Sequence, residues 1–178
     1  MKRNYRWRTD DGAGLEHLDL QQREDVVIAE GTVICDGPYA CNYRICCDSG
    51  WRVRSVEVHV AGGQSIVLTT DGDGSWRDGD GKALLHLQGC VDVDISATPF
   101  TNTLPIRRLG GQLGQRTELL MAWIKVPELA VHRAPQAYTS LPDGRYRFEA
   151  LDSGFEATLE VDELGLVRDY RGLFHRVG

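Results

Sequence analysis

Apolar and polar residues alternate along most of this chain, which is typical of β-strands that have one buried and one solvated face. In the segment 155–161 every odd position is apolar, and in the segment 146–150 every even position is apolar. In the segment 51–60 the apolar parity switches between Val53 and Val56, which predicts a β-bulge near Arg54 and Ser55. These patterns predict a mainly β protein.

Short turn signals separate the alternating segments, as expected of an all-β domain. Asp-Gly pairs occur in the segments 71–74 and 78–81, and a Pro-Asp-Gly turn occurs at 142–144. The two Asp-Gly segments lack the spaced ligands and the final glutamate of an EF-hand, so we interpret them as hairpin turns. No repeat or linker divides the chain, and we therefore expect one domain over residues 1–178.

Two segments depart from simple alternation. Residues 119–126 are apolar at nearly every position, which predicts a strand that is buried on both faces. Residues 101–111 predict a short helix that begins near Thr101 to Thr103, capped by Asn102 or Thr101. The apolar side of this helix needs a concave apolar surface, so we expect a sheet that curls around it.

Composition narrows the possible functions. The 178 residues carry a formal charge of -6 and a pI near 5.3, which disfavours a nucleic-acid or anionic-membrane surface. No apolar run is long enough for a signal peptide core or a membrane span, so we expect a cytoplasmic protein. Five cysteines without metal-ligand spacing predict reduced thiols and no metal or cofactor.

The segment from Gly89 to Leu109 contains two motifs that identify a family. Cys90-Val-Asp-Val-Asp94 is followed by Thr98-Pro-Phe-Thr-Asn-Thr-Leu-Pro-Ile-Arg-Arg-Leu109. This run resembles the bacterial Putative glycolipid-binding family, and matching order continues across nearly the whole chain: Tyr43-Arg44, Cys47, Trp51 to Ser55, Trp123, Pro127 to Leu129, Tyr138, Tyr146 to Phe148, Leu159 to Asp162 and Leu166 to Tyr170. The resemblance implies a spiral β-roll, a many-stranded antiparallel sheet wrapped around one short helix, and a homodimer.

Asp92 and Asp94 are the candidate residues for ion pairing, ligand binding or catalysis. They alternate with apolar residues on one predicted strand, so both carboxyl groups project from one face, about 6.5 Å apart at Cα. Arg107 and Arg108 follow a tight turn and are placed to pair with them. A structural Asp/Arg network, a polar ligand site and a catalytic carboxylate pair all remain open readings of this pattern.

Aromatic residues suggest a binding surface, because Trp and Tyr combine apolar rings with polar edges that suit a lipid tail joined to a sugar. Their alternative role is ordinary β core. We expect a binding site with apolar walls and a few polar groups. Its candidate residues are Tyr43, Arg44, Trp51, Asp92, Asp94, Asn102, Arg107, Arg108 and Trp123.

Three functions follow from these observations. The first is a non-enzymatic protein that binds an amphipathic small molecule, such as the glycolipid that the resemblance implies, with a role in glycolipid metabolism or transport. The second is a hydrolase that acts on a sugar or lipid ester through Asp92 or Asp94. The third is a structural dimeric module with a filled aromatic core.

Overall fold

The computed structural model describes residues 1–35 and 37–178, and its main feature is one sheet of 14 strands. The predicted mainly β fold class is confirmed. The strands are β1 (Lys2–Thr9), β2 (Leu15–Gln22), β3 (Val26–Ile34), β4 (Ala40–Asp48), β5 (Val53–Val60), β6 (Ser65–Thr70), β7 (Trp76–Asp78), β8 (Asp92–Ile95), β9 (Thr117–Lys125), β10 (Ala130–Ser140), β11 (Tyr146–Ala150), β12 (Phe155–Val161), β13 (Val167–Tyr170) and β14 (Phe174–Arg176).

The two ends of the chain meet in the middle of the sheet. The strand order is β7-β6-β5-β4-β3-β2-β1-β14-β13-β12-β11-β10-β9-β8. β1 pairs antiparallel with β14, and Trp7 lies opposite Arg176. The N-terminal half of the chain therefore forms one wing of the sheet and the C-terminal half forms the other.

The connection between β7 and β8 requires the sheet to curl. These strands form the two edges, yet only the 13 residues 79–91 separate them in sequence. Such a connection spans about 50 Å at most, whereas 14 strands laid flat span about 60 Å. Contacts join the two edge regions directly: Trp76 Nε1 donates to the Cys90 carbonyl at 2.7 Å. The Gly89 N–H donates to the Gly74 carbonyl at 2.9 Å.

The helix α1 (Thr103–Leu109) begins within the predicted range. Leu104 is completely buried and Ile106 is 4% exposed, so the short helix packs into the sheet as expected. The predicted side-chain cap is wrong: neither Thr101 nor Asn102 caps the helix. A turn of 3-10 helix at Phe100–Asn102 runs directly into α1, and its carbonyl groups already accept the first helical N–H.

One strand pair departs from the antiparallel pattern. β8 pairs parallel with β9, with Val93 opposite Ala122, whereas the other neighbouring pairs are antiparallel. The reason is the connection, because a parallel pair needs a long crossover and α1 lies in the 21 residues between these strands. The helix therefore lies on this crossover, after β8 and before β9 along the chain.

Two local predictions from the pattern hold in the described residues, and a third holds in part. The register between β4 and β5 shifts so that Cys46 pairs with Ser55 and Cys47 pairs with Val53, which is the predicted bulge at Arg54.

The Asp-Gly segments are turns, because the carboxylate of Asp71 accepts the N–H groups of Asp73 and Ser75. β9 is only partly as predicted: Met121, Ala122 and Ile124 are buried, but Trp123 is half-buried.

Candidate functional site

The two aspartates of β8 have different partners. Asp92 is completely buried and accepts hydrogen bonds from Arg108, with Nε to Oδ1 at 3.0 Å and Nη2 to Oδ2 at 2.5 Å. This bidentate pair joins β8 to the last turn of α1. Arg108 is 12% exposed, so the ion pair is largely shielded from solvent. Asp92 therefore anchors the helix to the sheet.

Asp94 is held by neutral groups instead. Its Oδ2 accepts from Gln136 Nε2 at 2.7 Å, and its Oδ1 accepts from Thr101 Oγ1 at 2.9 Å. Burial without a cationic partner raises the pKa of the Asp94 carboxyl, although the two hydrogen bonds oppose this rise. This partly buried carboxyl is a polar group with remaining capacity to accept hydrogen bonds.

A polar floor extends from Asp94. The Tyr138 hydroxyl donates to Asn102 Oδ1 at 2.9 Å and lies 3.4 Å from Gln136 Oε1. Burial raises the pKa of Tyr138 well above its usual value, and the nearby Asp94 charge adds to this effect. The 3-10 turn before α1 supplies Asn102, and β10 supplies Gln136 and Tyr138. These groups meet because β8 and β10 flank β9 on the same curled surface.

Aromatic side chains of the C-terminal wing form a wall next to this floor. Phe148 packs edge-on against Tyr170, with ring centroids 6.0 Å apart, and lies 6.2 Å from Phe155. Tyr170 also lies 6.4 Å from Phe174. Phe155 is 41% exposed, so this wall reaches the protein surface.

The floor and the wall enclose a cavity of about 510 Å³. Its polar lining includes Asp94, Asn102 and Gln136, and its apolar lining includes the aromatic wall and Trp123. The volume lies within the range of about 300–1,000 Å³ that small-molecule sites occupy. We refer to it as the larger cavity.

A neighbouring cavity of about 300 Å³, the smaller cavity, shares Ser96, Leu173 and Phe174 with the larger one. Glu16 of β2 lines it and is only 2% exposed. The Tyr43 hydroxyl donates to Glu16 Oε1 at 2.5 Å, and Thr98 Oγ1 donates to the same oxygen at 2.8 Å. Burial raises the pKa of Glu16 to about 7, against the effect of both hydrogen bonds.

Gly31 permits the contact between Tyr43 and Glu16. Gly31 lies opposite Tyr43 on the neighbouring strand, and a Cβ atom at Gly31 would lie 2.1 Å from the Tyr43 ring. With hydrogen in that position, the ring crosses β3 and reaches β2. A larger residue at position 31 would displace the tyrosine hydroxyl from Glu16.

The structure brings some predicted site residues together. Asp94, Asn102 and Trp123 line the larger cavity. Asp92 and Arg108 form the anchor beneath it without lining it. Tyr43 contacts Glu16 at the smaller cavity.

Other predicted site residues lie elsewhere. Arg44 is on the exposed face of β4, 3.2 Å from Glu30 Oε1. Arg107 packs over the buried Trp51, with its guanidinium carbon 5.1 Å from the ring centroid. Trp51 has φ of 66° in the turn between β4 and β5, a strained conformation for a bulky residue. This cation–π contact holds α1 to the N-terminal wing and lies outside both cavities.

Two important polar residues, Glu16 and Gln136, were not predicted. Both occupy positions of inward parity: Glu16 precedes the buried Leu18 and Leu20 of β2, and Gln136 lies between the buried Ala134 and Tyr138 of β10. A polar residue on the apolar parity of a strand is the signal that would have identified them, because burial of such a group requires a hydrogen-bond partner.

The described ranges contain no group of three His, Cys, Asp or Glu side chains placed to hold a metal ion. No helix among the described residues has the length and apolar character needed to cross a membrane.

Comparison with known proteins agrees with this architecture. No curated protein matches the chain. A solved structure, a DUF1089 family protein from Pseudomonas aeruginosa, is 40% identical and superimposes with a TM-score of 0.80, covering 93% of this chain and 92% of that one. The model of the family described as Putative glycolipid-binding matches residues 4–176. The chain thus belongs to the Putative glycolipid-binding family, as the motifs between Gly89 and Leu109 indicated.

Proposed function

We propose that the protein binds a glycolipid in the larger cavity without converting it. The observation that carries this proposal is the division of one cavity of about 510 Å³ into a polar floor and an aromatic wall. Asp94, Gln136 and Asn102 offer acceptors and donors to the hydroxyl groups of a sugar. The family description supports the same ligand class.

The arrangement also supports one orientation of the ligand. The polar floor lies against β8 and α1, whereas Phe155 of the aromatic wall is exposed at the surface. A sugar headgroup therefore binds inward and the acyl or alkyl chain lies along the rings toward the opening. Burial of apolar chain surface against the rings supplies most of the binding free energy, and the hydrogen bonds select the headgroup.

The alternatives are less well supported. A hydrolase of the usual glycosidase type needs two free carboxyl groups around the bond that breaks. Asp92 is bonded to Arg108 and does not line the cavity, so the predicted pair offers only Asp94. A structural module with a filled core does not account for a cavity of this volume.

Isothermal titration with n-octyl β-D-glucoside, kept below its critical micelle concentration, tests the proposal. We expect the detergent to bind more tightly than either glucose or 1-octanol, because each control lacks one half of the ligand. Phe155→Ala and Gln136→Leu should each weaken binding at least tenfold by removing wall surface or a floor hydrogen bond. Leu85→Ala is the matched control, since Leu85 is 78% exposed and lies outside the cavity.

Two outcomes would contradict this proposal. Equal binding by the Phe155→Ala and wild-type proteins would place the ligand elsewhere. Release of glucose from the detergent by the wild-type protein, abolished in Asp94→Asn, would favour the hydrolase. The homodimer and the role in glycolipid metabolism or transport remain predictions.

A further inference from the structure

The smaller cavity has a largely apolar wall. Its rings and aliphatic side chains include those of Trp7, Leu15, Val33, Ile34, Leu173 and Phe174. Trp7 and Val33 are buried, whereas Leu15 and Ile34 are exposed and lie opposite each other on β2 and β3. The wall is therefore apolar both in the interior of the protein and at the rim of the cavity.

The polar side chains in this wall have partners within the protein. Trp7 Nε1 donates to the Val167 carbonyl at 2.8 Å, and Ser96 Oγ accepts the Val126 N–H at 3.0 Å. The Tyr39 hydroxyl donates to the Val126 carbonyl at 3.3 Å. A ligand in this cavity therefore meets hydrogen-bonding groups whose capacity is already partly or wholly used.

The carboxyl groups of the lining are likewise engaged or out of reach. Glu16 Oε1 accepts the two hydrogen bonds described above, and Glu16 Oε2 is buried, with less than 1 Å² of accessible surface. Asp10 accepts the Gly172 N–H at 2.7 Å, and Asp11 accepts the Ala13 N–H at 3.0 Å. Both aspartates are exposed at the rim, where water solvates them. Hydrocarbon suits such a wall, because it gains from leaving water and needs no hydrogen bond.

The two cavities meet along a shared boundary. Ser96, in the turn after β8, lines both cavities, and so do Leu173 and Phe174 at the beginning of β14. Leu173 is 39% exposed, so this boundary reaches the surface, as Phe155 of the aromatic wall does. A molecule bound in the larger cavity is therefore adjacent to the smaller cavity at these shared residues.

From these contacts we infer that the ligand carries two hydrocarbon chains, one along the aromatic wall of the larger cavity and one in the smaller cavity. The inference rests on the proposed function, because it places the sugar on the polar floor. A glycoside of a diacylglycerol has the required shape, since its two chains diverge from one branch point next to the headgroup. The branch point lies at the shared boundary, and Leu173 and Phe174 pack between the chains.

The second chain should determine affinity more than the choice of headgroup does. Each methylene group that is removed from water raises affinity about fourfold. Contact with the exposed rim residues Leu15 and Ile34 buries only part of a chain, so the gain is smaller than for complete burial. We therefore expect a preference of at least about tenfold for a two-chain glycoside over a one-chain glycoside with the same headgroup.

Isothermal titration of the full chain with 1,2-dihexanoyl-sn-glycerol 3-β-D-glucoside tests the inference. The corresponding 1-hexanoyl compound is the one-chain control, and both are kept below their critical micelle concentrations. The wild-type protein should bind the two-chain glucoside at least about tenfold more tightly than the one-chain glucoside. The two compounds share the sugar, the glycerol and the first chain, so the difference reports the second chain alone.

Ala97→Trp locates that second chain. Ala97 lies in the turn after β8 and lines the smaller cavity but not the larger one, so the added ring occupies the space of the chain. The preference for two chains should fall to about twofold or less, whereas n-octyl β-D-glucoside should bind as it does to the wild-type protein. Ala61→Trp is the matched control, because Ala61 is exposed in another turn and lines neither cavity.

Ile34→Asp keeps the test decisive if Ala97→Trp does not fold. Ile34 is 55% exposed at the rim of the smaller cavity, so the fold tolerates a carboxylate there, but a hydrocarbon chain beside it would desolvate the charge. The preference for two chains should fall at least about threefold. Val67→Asp, at a site 41% exposed on β6 and outside both cavities, should leave the preference unchanged.

Three outcomes would overturn the inference. If the wild-type protein binds octyl glucoside but binds the two hexanoyl glucosides equally, or if the folded variants of the smaller cavity keep the preference, the inference fails and the proposed function stands. Failure of octyl glucoside to bind the wild-type protein would contradict the proposed function and the inference with it. A wild-type dimer that Ile34→Asp dissociates in light scattering, with the preference unchanged, would assign the rim to a second copy of the chain.

Discussion

Two carboxyl groups of β8 have different kinds of hydrogen-bond partner: one lies beneath α1 and the other lies in the floor of the larger cavity. Asp92 receives a bidentate pair from Arg108, and Asp94, two residues later, receives hydrogen bonds from the neutral Gln136 and Thr101. Asp92 is fully buried and Asp94 is partly buried, and the two carboxyl groups also differ in their partners. A guanidinium neutralises the first, whereas no cation among the described residues neutralises the second.

This difference separates a folding contact from a candidate binding contact. The Asp92–Arg108 pair uses the acceptors of the carboxylate within the protein and joins two elements. Asp94 lines a cavity, and burial raises its pKa. Its hydrogen bonds therefore do not fully offset the free-energy cost of removing the charged carboxylate from water. Glu16 follows the second pattern at the smaller cavity. At each cavity a shielded carboxyl thus lacks a cationic partner among the described residues.

The largest expected effect comes from breaking the anchor. Arg108→Ala should lower the free energy of unfolding by about 3–5 kcal/mol, because Asp92 would remain buried without its cation. Arg44→Ala is the matched control and should cost about 0–1 kcal/mol, since its ion pair with Glu30 is exposed. Urea denaturation measures both values. If Arg108→Ala lowers the free energy of unfolding no more than Arg44→Ala does, the Asp92–Arg108 pair does not anchor the helix.

A smaller effect should follow the protonation of Glu16. Its pKa is raised from 4.5 to about 7, so between these pH values the folded protein keeps a proton that the unfolded chain has released. The contribution of Glu16 to the free energy of unfolding is therefore largest below pH 4.5. It falls by about 3 kcal/mol as the pH rises to 7 and is constant at higher pH. Glu16→Gln lacks this titration. Urea denaturation at pH 4.5, 6 and 8 should show the wild-type value falling relative to the variant, and parallel curves would contradict the assignment.

The smallest effect is expected at Asp94. Asp94→Asn should change the free energy of unfolding by less than about 1 kcal/mol at pH 7, because the amide oxygen can still accept from Gln136 and the amide nitrogen can donate to Thr101. The Thr101 hydroxyl can then donate to the Thr98 carbonyl, 3.4 Å away. Asp92→Asn serves as the contrast, since it leaves Arg108 without a charged partner. Equal losses for the two variants would show that the partners of these aspartates do not distinguish them.

Sequence patterns predicted the parts of this protein that local periodicity controls. Strand alternation, the bulge at Arg54, the turns at Asp71 and Asp78 and the helix start near Thr103 are all found. The family followed from the motifs between Gly89 and Leu109. The helix cap failed because the 3-10 turn before α1, a local detail that residue type does not determine, satisfied the first helical N–H group.

The candidate site was predicted less completely, for a different reason. Asp94, Asn102 and Trp123 were identified by residue type and line the larger cavity, but Arg44 and Arg107 were identified in the same way and lie outside it. Gln136 and Phe155 come from strands far along the chain, and no local pattern associates them with Asp94.

The sequence by itself determined which residues form strands, which of their faces point inward, and where one short helix interrupts them, because these properties depend on neighbours a few positions away. Tertiary structure alone decided how far the predicted curl goes, so that β7 approaches the segment before β8, and that β8 pairs parallel with β9. It also decided which of the two carboxyl groups of β8 receives a cation. Asp92 and Asp94 are the same residue in the same alternating motif, and only the placement of Arg108 and Gln136 in space distinguishes an anchor from a candidate ligand contact.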